Sequence, residues 1–132
     1  MITQGNRVLI MDDDVSIRNV LREMLGMMNC EVVATENGLD AVDLYRKSHK
    51  NGTPFDIVIL DLTVPGGGGG REAVEQILEI DPDAKVIVSS GYAEDPVISK
   101  HQEYGFKAVV IKPYTYQDLY EKVSSVMGEE QT

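Results

Sequence analysis

Six side chains able to bind or transfer a group stand directly after short apolar runs: Asp12 and Asp13 after R-V-L-I-M, Asp61 after I-V-I-L, Ser89 and Ser90 after K-V-I-V, and Lys112 after A-V-V-I. Carboxylates, hydroxyls and an ammonium do chemistry together only if the fold collects them. A parallel sheet does so, because the carboxyl ends of all its strands lie on one side. Carboxylates gathered there repel one another by about 4 kcal/mol per close pair at an effective dielectric of about 20. A hard divalent cation removes that repulsion. Mg²⁺ takes one or two carboxylates, keeps several waters and leaves positions open to phosphate oxygens. The chemistry that needs a cation, a free carboxylate, a hydroxyl and an ammonium is phosphoryl transfer: a carboxylate attacks phosphorus and gives an aspartyl-phosphate. Lys112 is then the cation that neutralises charge on the transferring group, and Ser90 can hydrogen-bond a phosphoryl oxygen once one is present.

The elements that must position these groups are legible as an alternation. The stretch D-I-V-I-L-D-L-T-V-P, from Asp56 to Pro65, centres on a β-branched run too short for a lone helix, which reads as a strand buried on both faces and ending at Asp61. Strands are also expected over residues 7–11, 31–35, 85–88 and 108–111. Between them, helical spacing of apolar residues predicts a helix from Asp14, its N-cap, through Met28, one from Leu39 towards Lys47 after an Asn37-Gly38 turn, one over 71–80, a weakly amphipathic one over 95–104 capped by Gly105, and a last one over 116–127. Strict alternation of strand and helix implies a parallel sheet with helices on both faces. Residues 66–70 are consecutive glycines and read as a flexible loop, since the Gly-Lys-Ser/Thr ending of a phosphate-binding P-loop is missing.

Bulk properties bound the function. At 132 residues the chain fits one domain able to bury a core without disulfides. A formal charge of −10 argues against nucleic acid or an anionic membrane as a direct partner. The lone Cys30 is expected to be a buried, inert thiol, and no run approaches membrane-spanning length, so a soluble, cytoplasmic protein is expected. His49 and His101 have no partner at metal-ligand spacing.

Taken in order, Asp12-Asp13, Asp61, Ser90 and Lys112-Pro113 resemble the receiver domain of two-component response regulators. The resemblance covers residues 6–127, so that the whole chain, 1–132, is expected to be a single receiver domain with no effector domain. It implies an α/β, flavodoxin-like (βα)5 fold, a doubly wound five-stranded parallel sheet of order 2-1-3-4-5. It further implies that Asp61 is the phosphoacceptor, that Asp13 and Asp61 bind Mg²⁺ together with the backbone carbonyl of Thr63, that Asp12 acts mainly through water, and that Lys112 precedes a cis proline. The spacing within the family favours Ser90 over Ser89 as the switch hydroxyl. The segment L-D-L-T-V-P-G-G-G-G-G is similar to receivers attached to hybrid histidine kinases, where the loop often reads P-G-G-M-G-G and Gly68 would be methionine. Val109 stands where many receivers carry an aromatic that swings inward. A valine cannot swing so, and the signal is expected to travel through the loop from Ser90 to Asp95.

The expected partners are a histidine kinase or a histidine phosphotransfer domain, together with a possible homodimer through the face of the fourth helix, fifth strand and fifth helix, including Ile98, His101, Tyr104, Val109 and Tyr116. Such a domain catalyses its own phosphoryl transfer and slow dephosphorylation, yet its output is regulatory. Two other readings stand beside this one. A degenerate receiver would serve only as a binding surface. A phosphohydrolase of the haloacid-dehalogenase type also uses an aspartate and Mg²⁺, but its motif wants a second aspartate where this chain has Thr63, and usually a cap domain.

Overall fold

The computed structural model describes residues 6–62 and 69–128. Its strands are β1 (Arg7–Met11), β2 (Glu31–Thr35), β3 (Ile57–Asp61), β4 (Val86–Ser90) and β5 (Ala108–Ile111), and they form one parallel sheet in the order β2-β1-β3-β4-β5. The parallel sheet is the one expected from the alternation, and its doubly wound, flavodoxin-like order is the one implied by the receiver resemblance. The helices are α1 (Val15–Met27), α2 (Gly38–Lys50), α3 (Gly70–Ile80), α4 (Pro96–Ser99) and α5 (Tyr116–Met127).

Side chains alternate across a strand, and the alternation divides the core in two. Val8, Ile10, Ile57, Ile59, Ile87 and Val110 point to one face, where Leu21 and Leu25 of α1 and Leu119 and Val123 of α5 cover them. Leu9, Met11, Val58, Leu60, Val86 and Val88 point to the other, under Ala41, Val42 and Tyr45 of α2, Ala73, Val74 and Ile77 of α3, and Val97 and Ile98 of α4. Central strands covered on both faces carry continuous apolar runs, and β3 and β4 are buried throughout.

Capping side chains start most of the helices. Asp14 accepts from the Ser16 amide, Asn37 from Asp40, Asp95 from Val97 and Thr115 from Asp118. The expected Asn37-Gly38 turn is thus itself the start of α2. The expected helix over 95–104 is two short pieces, α4 and a 3₁₀ turn His101–Tyr104, because apolar spacing there is too weak to hold one longer helix on the sheet. Gly105 closes the turn at φ 102°, in the left-handed region that favours glycine. On α1, Val15, Val20 and Met27 are exposed, so the buried stripe is narrower than its apolar sequence implied. Cys30 is half-buried, and burial, aided by the Asp56 charge, pushes its thiol pKa up.

One glycine of the run has a structural reason. A Cβ on Gly70 would lie 2.8 Å from the Asp61 carbonyl oxygen and 3.2 Å from Leu60 Cβ, so the first turn of α3 can seat against the end of β3 only without a side chain. Gly70→Ala should therefore destabilise the protein by about 1–3 kcal/mol in urea unfolding, whereas Gly91→Ala, with nothing within 4 Å, should stay within about 0.5 kcal/mol of wild type. Equal midpoints for the two variants would contradict this packing.

Candidate functional site

Backbone pairing carries the sheet past the formal strand ends and fixes the chain where the site begins. The Asp12 amide donates to the Thr35 carbonyl at 3.1 Å, Leu62 to Ser89 at 2.9 Å and Lys112 to Ser90 at 2.8 Å. Asp61 and Ser89 are register partners inside their strands rather than residues following them. The two-residue alternation also sorts the site. Asp12, Asp61, Ser89 and Lys112 continue the series that faces α1 and α5, while Asp13 and Ser90 belong to the opposite series.

The acids converge as expected. One carboxylate oxygen from each of Asp12, Asp13 and Asp61 lies within 4.8 Å of the others. Asp12 and Asp61 are buried, at 1% and 5% exposure, and Asp13 is open to solvent. A cleft of about 460 Å³ lies over them, lined also by Asp14, Ser90, Gly91, Tyr92 and Lys112.

Asp12 is the most committed of the three. Its Oδ1 accepts from the Asp14 amide at 2.9 Å. Its Oδ2 is 2.8 Å from Lys112 Nζ, an ion-pair distance, but off the direction of a hydrogen bond, so this oxygen is paired in charge and has no hydrogen-bond partner. Arg18 supports the same residue from α1, donating from Nη1 to the Asp12 carbonyl at 2.8 Å while Nη2 approaches Glu36 at 3.8 Å. Lys112 also donates to Asp61 Oδ1 at 3.2 Å, so one ammonium bridges the two buried carboxylates.

That single cation does not balance the acids. Burial pushes the Asp61 pKa up to about 6, the neighbouring Asp12 charge pushes the same way, and Lys112 offsets only part of the rise. For Lys112 burial works downward, but its contacts with Asp12 and Asp61 outweigh it and the pKa ends raised, so the group stays an ammonium.

The hydroxyls have separate surroundings. Ser90 lines the cleft, and its Oγ accepts from the Tyr92 amide at 3.0 Å while its own hydrogen reaches only the Tyr92 carbonyl at 3.4 Å. Ser89 is turned away from the cleft and hydrogen-bonds the Tyr114 hydroxyl, among the residues under α1 and α5. Of the two serines weighed as the switch hydroxyl, Ser90 is the one that lines the cleft. The peptide bond between Lys112 and Pro113 is cis. Thr63 and Gly68 lie outside the described residues.

The profile of the response regulator receiver domain matches residues 8–124 of this chain. The chain belongs to that family. Among its curated relatives, the chemotaxis protein CheY of Thermotoga maritima is 32% identical over 123 residues, covering 92% of this chain and 98% of the relative. A Bacillus subtilis protein named CcdB is 36% identical over 124 residues, at 92% and 98% coverage. Of solved structures, a CheX–CheY–BeF3–Mg²⁺ complex from Borrelia burgdorferi superposes with a TM-score of 0.83 at 28% identity, over 93% of this chain and 90% of that one. The receiver domain of the sensor histidine kinase PA1611 from Pseudomonas aeruginosa, which holds a magnesium ion in its active-site cleft, shares the fold with a TM-score of 0.82 at 18% identity, over 94% and 98% of the two chains.

Around this receiver's site, two features were not anticipated from sequence: the Arg18 contact with Asp12 and the Ser89–Tyr114 pair. A signal existed for the second, since alternation from Ile87 turns Ser89 inward and Tyr114 follows Lys112 by two residues. Of the expected docking face, Ile98 is buried, whereas His101, Tyr104, Val109 and Tyr116 are half-buried. Val109 is tied down by Lys122, whose Nζ donates to its carbonyl at 2.9 Å.

The Asp61 shift has a testable sign. An acid whose folded pKa is raised costs stability in full above about pH 6, and the cost is relieved as pH falls through that value towards 3.8, where the unfolded chain also takes up the proton. Without divalent cations Asp61→Asn should be more stable than wild type by about 2 kcal/mol at pH 7.5, with the gap narrowing towards pH 4.5. Thermal melts at the two pH values check this, and a variant less stable than wild type at pH 7.5 would contradict it.

Proposed function

We propose that this receiver is a Mg²⁺-dependent phosphoacceptor of two-component signalling, taking a phosphoryl group from a histidine kinase or histidine phosphotransfer domain onto Asp61 and changing partner affinity as a result. The observation that carries the reading is the placement of Asp61 on the floor of an open cleft, clustered with Asp12 and Asp13 and held at one oxygen by Lys112. The Borrelia CheY complex, which contains BeF3 and Mg²⁺, supports the same reading by relationship.

The donor set suits a hard cation. Three carboxylates with one ammonium leave an excess of negative charge on oxygen ligands, the environment Mg²⁺ favours. Asp13 and Asp61 would hold the ion directly, Asp12 through water, and the carbonyl of Thr63 would complete the protein's share. A bound Mg²⁺ supplies neutralisation of the charge on phosphoryl oxygens, and every other part of the task falls to side chains.

At pH 7 a carboxyl group with a pKa of about 6 is mostly ionised, so Asp61 is available as a nucleophile. One carboxylate oxygen forms the new bond to phosphorus as the bond from phosphorus to the donor's imidazole nitrogen breaks. The nitrogen keeps that electron pair and takes a proton. Lys112, already 3.2 Å from Asp61 Oδ1, exchanges part of its carboxylate contact for the incoming phosphoryl oxygen. Ser90, whose hydrogen has only a long contact at 3.4 Å, turns to another phosphoryl oxygen, and the segment from Ser90 to Asp95 follows it. The output is a change in binding rather than turnover of a metabolite. The haloacid-dehalogenase alternative loses its ground with membership of the receiver family.

Among the described residues no helix is long and apolar enough to cross a membrane. The net charge of −10 continues to disfavour direct binding to nucleic acid or an anionic membrane.

Incubation with Mg²⁺ and acetyl phosphate should add a single phosphoryl group by intact mass, and the adduct should be absent from Asp61→Asn and from a metal-free control. Lys112→Ala should still label, but the change in amide exchange over residues 95–120 that follows labelling of wild type should be blunted. An undiminished adduct on Asp61→Asn would contradict the assignment.

A further inference from the structure

The buried contact between Ser89 and Tyr114 is not used by the chemistry above, and the fold alone does not call for it. Ser89 is 1% exposed and the Tyr114 ring lies in the apolar cluster under α1 and α5, beside Leu119 and Val123. Alanine and phenylalanine would fill these places without burying two hydroxyls, whose desolvation is offset only while they bond each other.

Their position gives the reason. Lys112 is anchored by its own amide to the carbonyl of Ser90 at 2.8 Å, and Tyr114, two residues further on, is anchored by its hydroxyl to the side chain of Ser89. The two anchors fall on adjacent residues of β4 and bracket the base of the lysine. A lysine side chain is long and flexible, so the direction of its ammonium depends on how firmly its backbone is held. Burial pushes the Tyr114 pKa up to about 12, although its bond to Ser89 and the nearby Lys112 charge work the other way, so the phenol keeps its proton at neutral pH. Ser89 is also the register partner of Asp61, so the same residue of β4 references both the carboxylate and the ammonium.

We propose that the Ser89–Tyr114 hydroxyl pair is a positioning element that fixes the β5–α5 connection to β4 and so holds the Lys112 ammonium where phosphoryl transfer to Asp61 needs it. This rests on Asp61 being the phosphoacceptor. Neither residue touches the reacting atoms, and both act through Lys112.

The test measures the rate of acyl-phosphate formation from acetyl phosphate, over a range of donor concentrations at saturating Mg²⁺, for wild type, Tyr114→Phe, Ser89→Ala and the double variant, with Mg²⁺ affinity measured by calorimetry. Each single variant should lower the maximal rate by about tenfold, and the double variant should lose no more than either single one, because one contact is removed in all three. Half-saturating donor concentration and Mg²⁺ affinity should stay within about twofold of wild type, since neither group binds donor or metal. In a Lys112→Ala background, Tyr114→Phe should have no further effect. A Tyr114→Phe rate equal to wild type, an additive loss in the double variant, an undiminished loss in the Lys112→Ala background, or a loss confined to Mg²⁺ affinity would overturn the proposal. Should Tyr114→Phe fail to fold, Ser89→Ala in both backgrounds decides the matter by the same criteria. A wild-type protein that takes no phosphoryl group at Asp61 would overturn the phosphoacceptor reading and this proposal with it.

Discussion

One ammonium serving two buried carboxylates is the constraint on which the rest of this structure depends. Lys112 Nζ lies 2.8 Å from Asp12 Oδ2 and 3.2 Å from Asp61 Oδ1, and the exposed Asp13 adds a third negative charge. Pairs of like charges at such range repel by about 4 kcal/mol even at an intermediate dielectric. The protein therefore holds a site that is under-neutralised by design, with the Asp61 pKa pushed up to about 6 as its visible consequence. Structure that tolerates this must be stiff enough not to let the acids separate. The central strands provide that stiffness, being covered on both faces and linked by backbone hydrogen bonds that continue past the strand ends to Asp12, Leu62 and Lys112.

The side-chain alternation of the strands explains how an apolar core and a polar site can share the same elements. Going up β3, Ile57 and Ile59 face α1 and α5, and the next residue in that series is Asp61. On β4, Ile87 is followed in the same way by Ser89. Asp12, Asp61, Ser89 and Lys112 are thus the top layer of one half of the core, polar residues at the carboxyl ends of strands that are apolar below. Ser90 comes from the other series and reaches the cleft from the side of α4, which places it between the acids and the segment leading to Asp95.

Much of this was legible in the sequence because it depends on local pattern. Apolar runs ending in Asp12, Asp61, Ser89 and Lys112 specify buried parallel strands and the edge where their ends meet, and the cap at Asp14 follows from residue type and place. What escaped depends on three-dimensional fit. The close approach of Gly70 to the Asp61 carbonyl cannot be seen in a run of identical glycines. The broken helix before Gly105 reflects apolar spacing too weak for one longer helix, and Ile98, expected on a docking face, is buried in the core. The pairing of Ser89 with Tyr114 joins residues 25 positions apart whose types are unremarkable singly.

The central claim is that the under-neutralised carboxylate of Asp61, and no other acid at this edge, receives the phosphoryl group. The most direct measurement is chemical trapping of the labelled protein with borohydride, which reduces an aspartyl-phosphate to homoserine, followed by tandem mass spectrometry of the peptides. Homoserine at position 61 alone is the result this account predicts. Homoserine at Asp12 or Asp13, or labelled protein with no reducible acyl-phosphate at all, would contradict it.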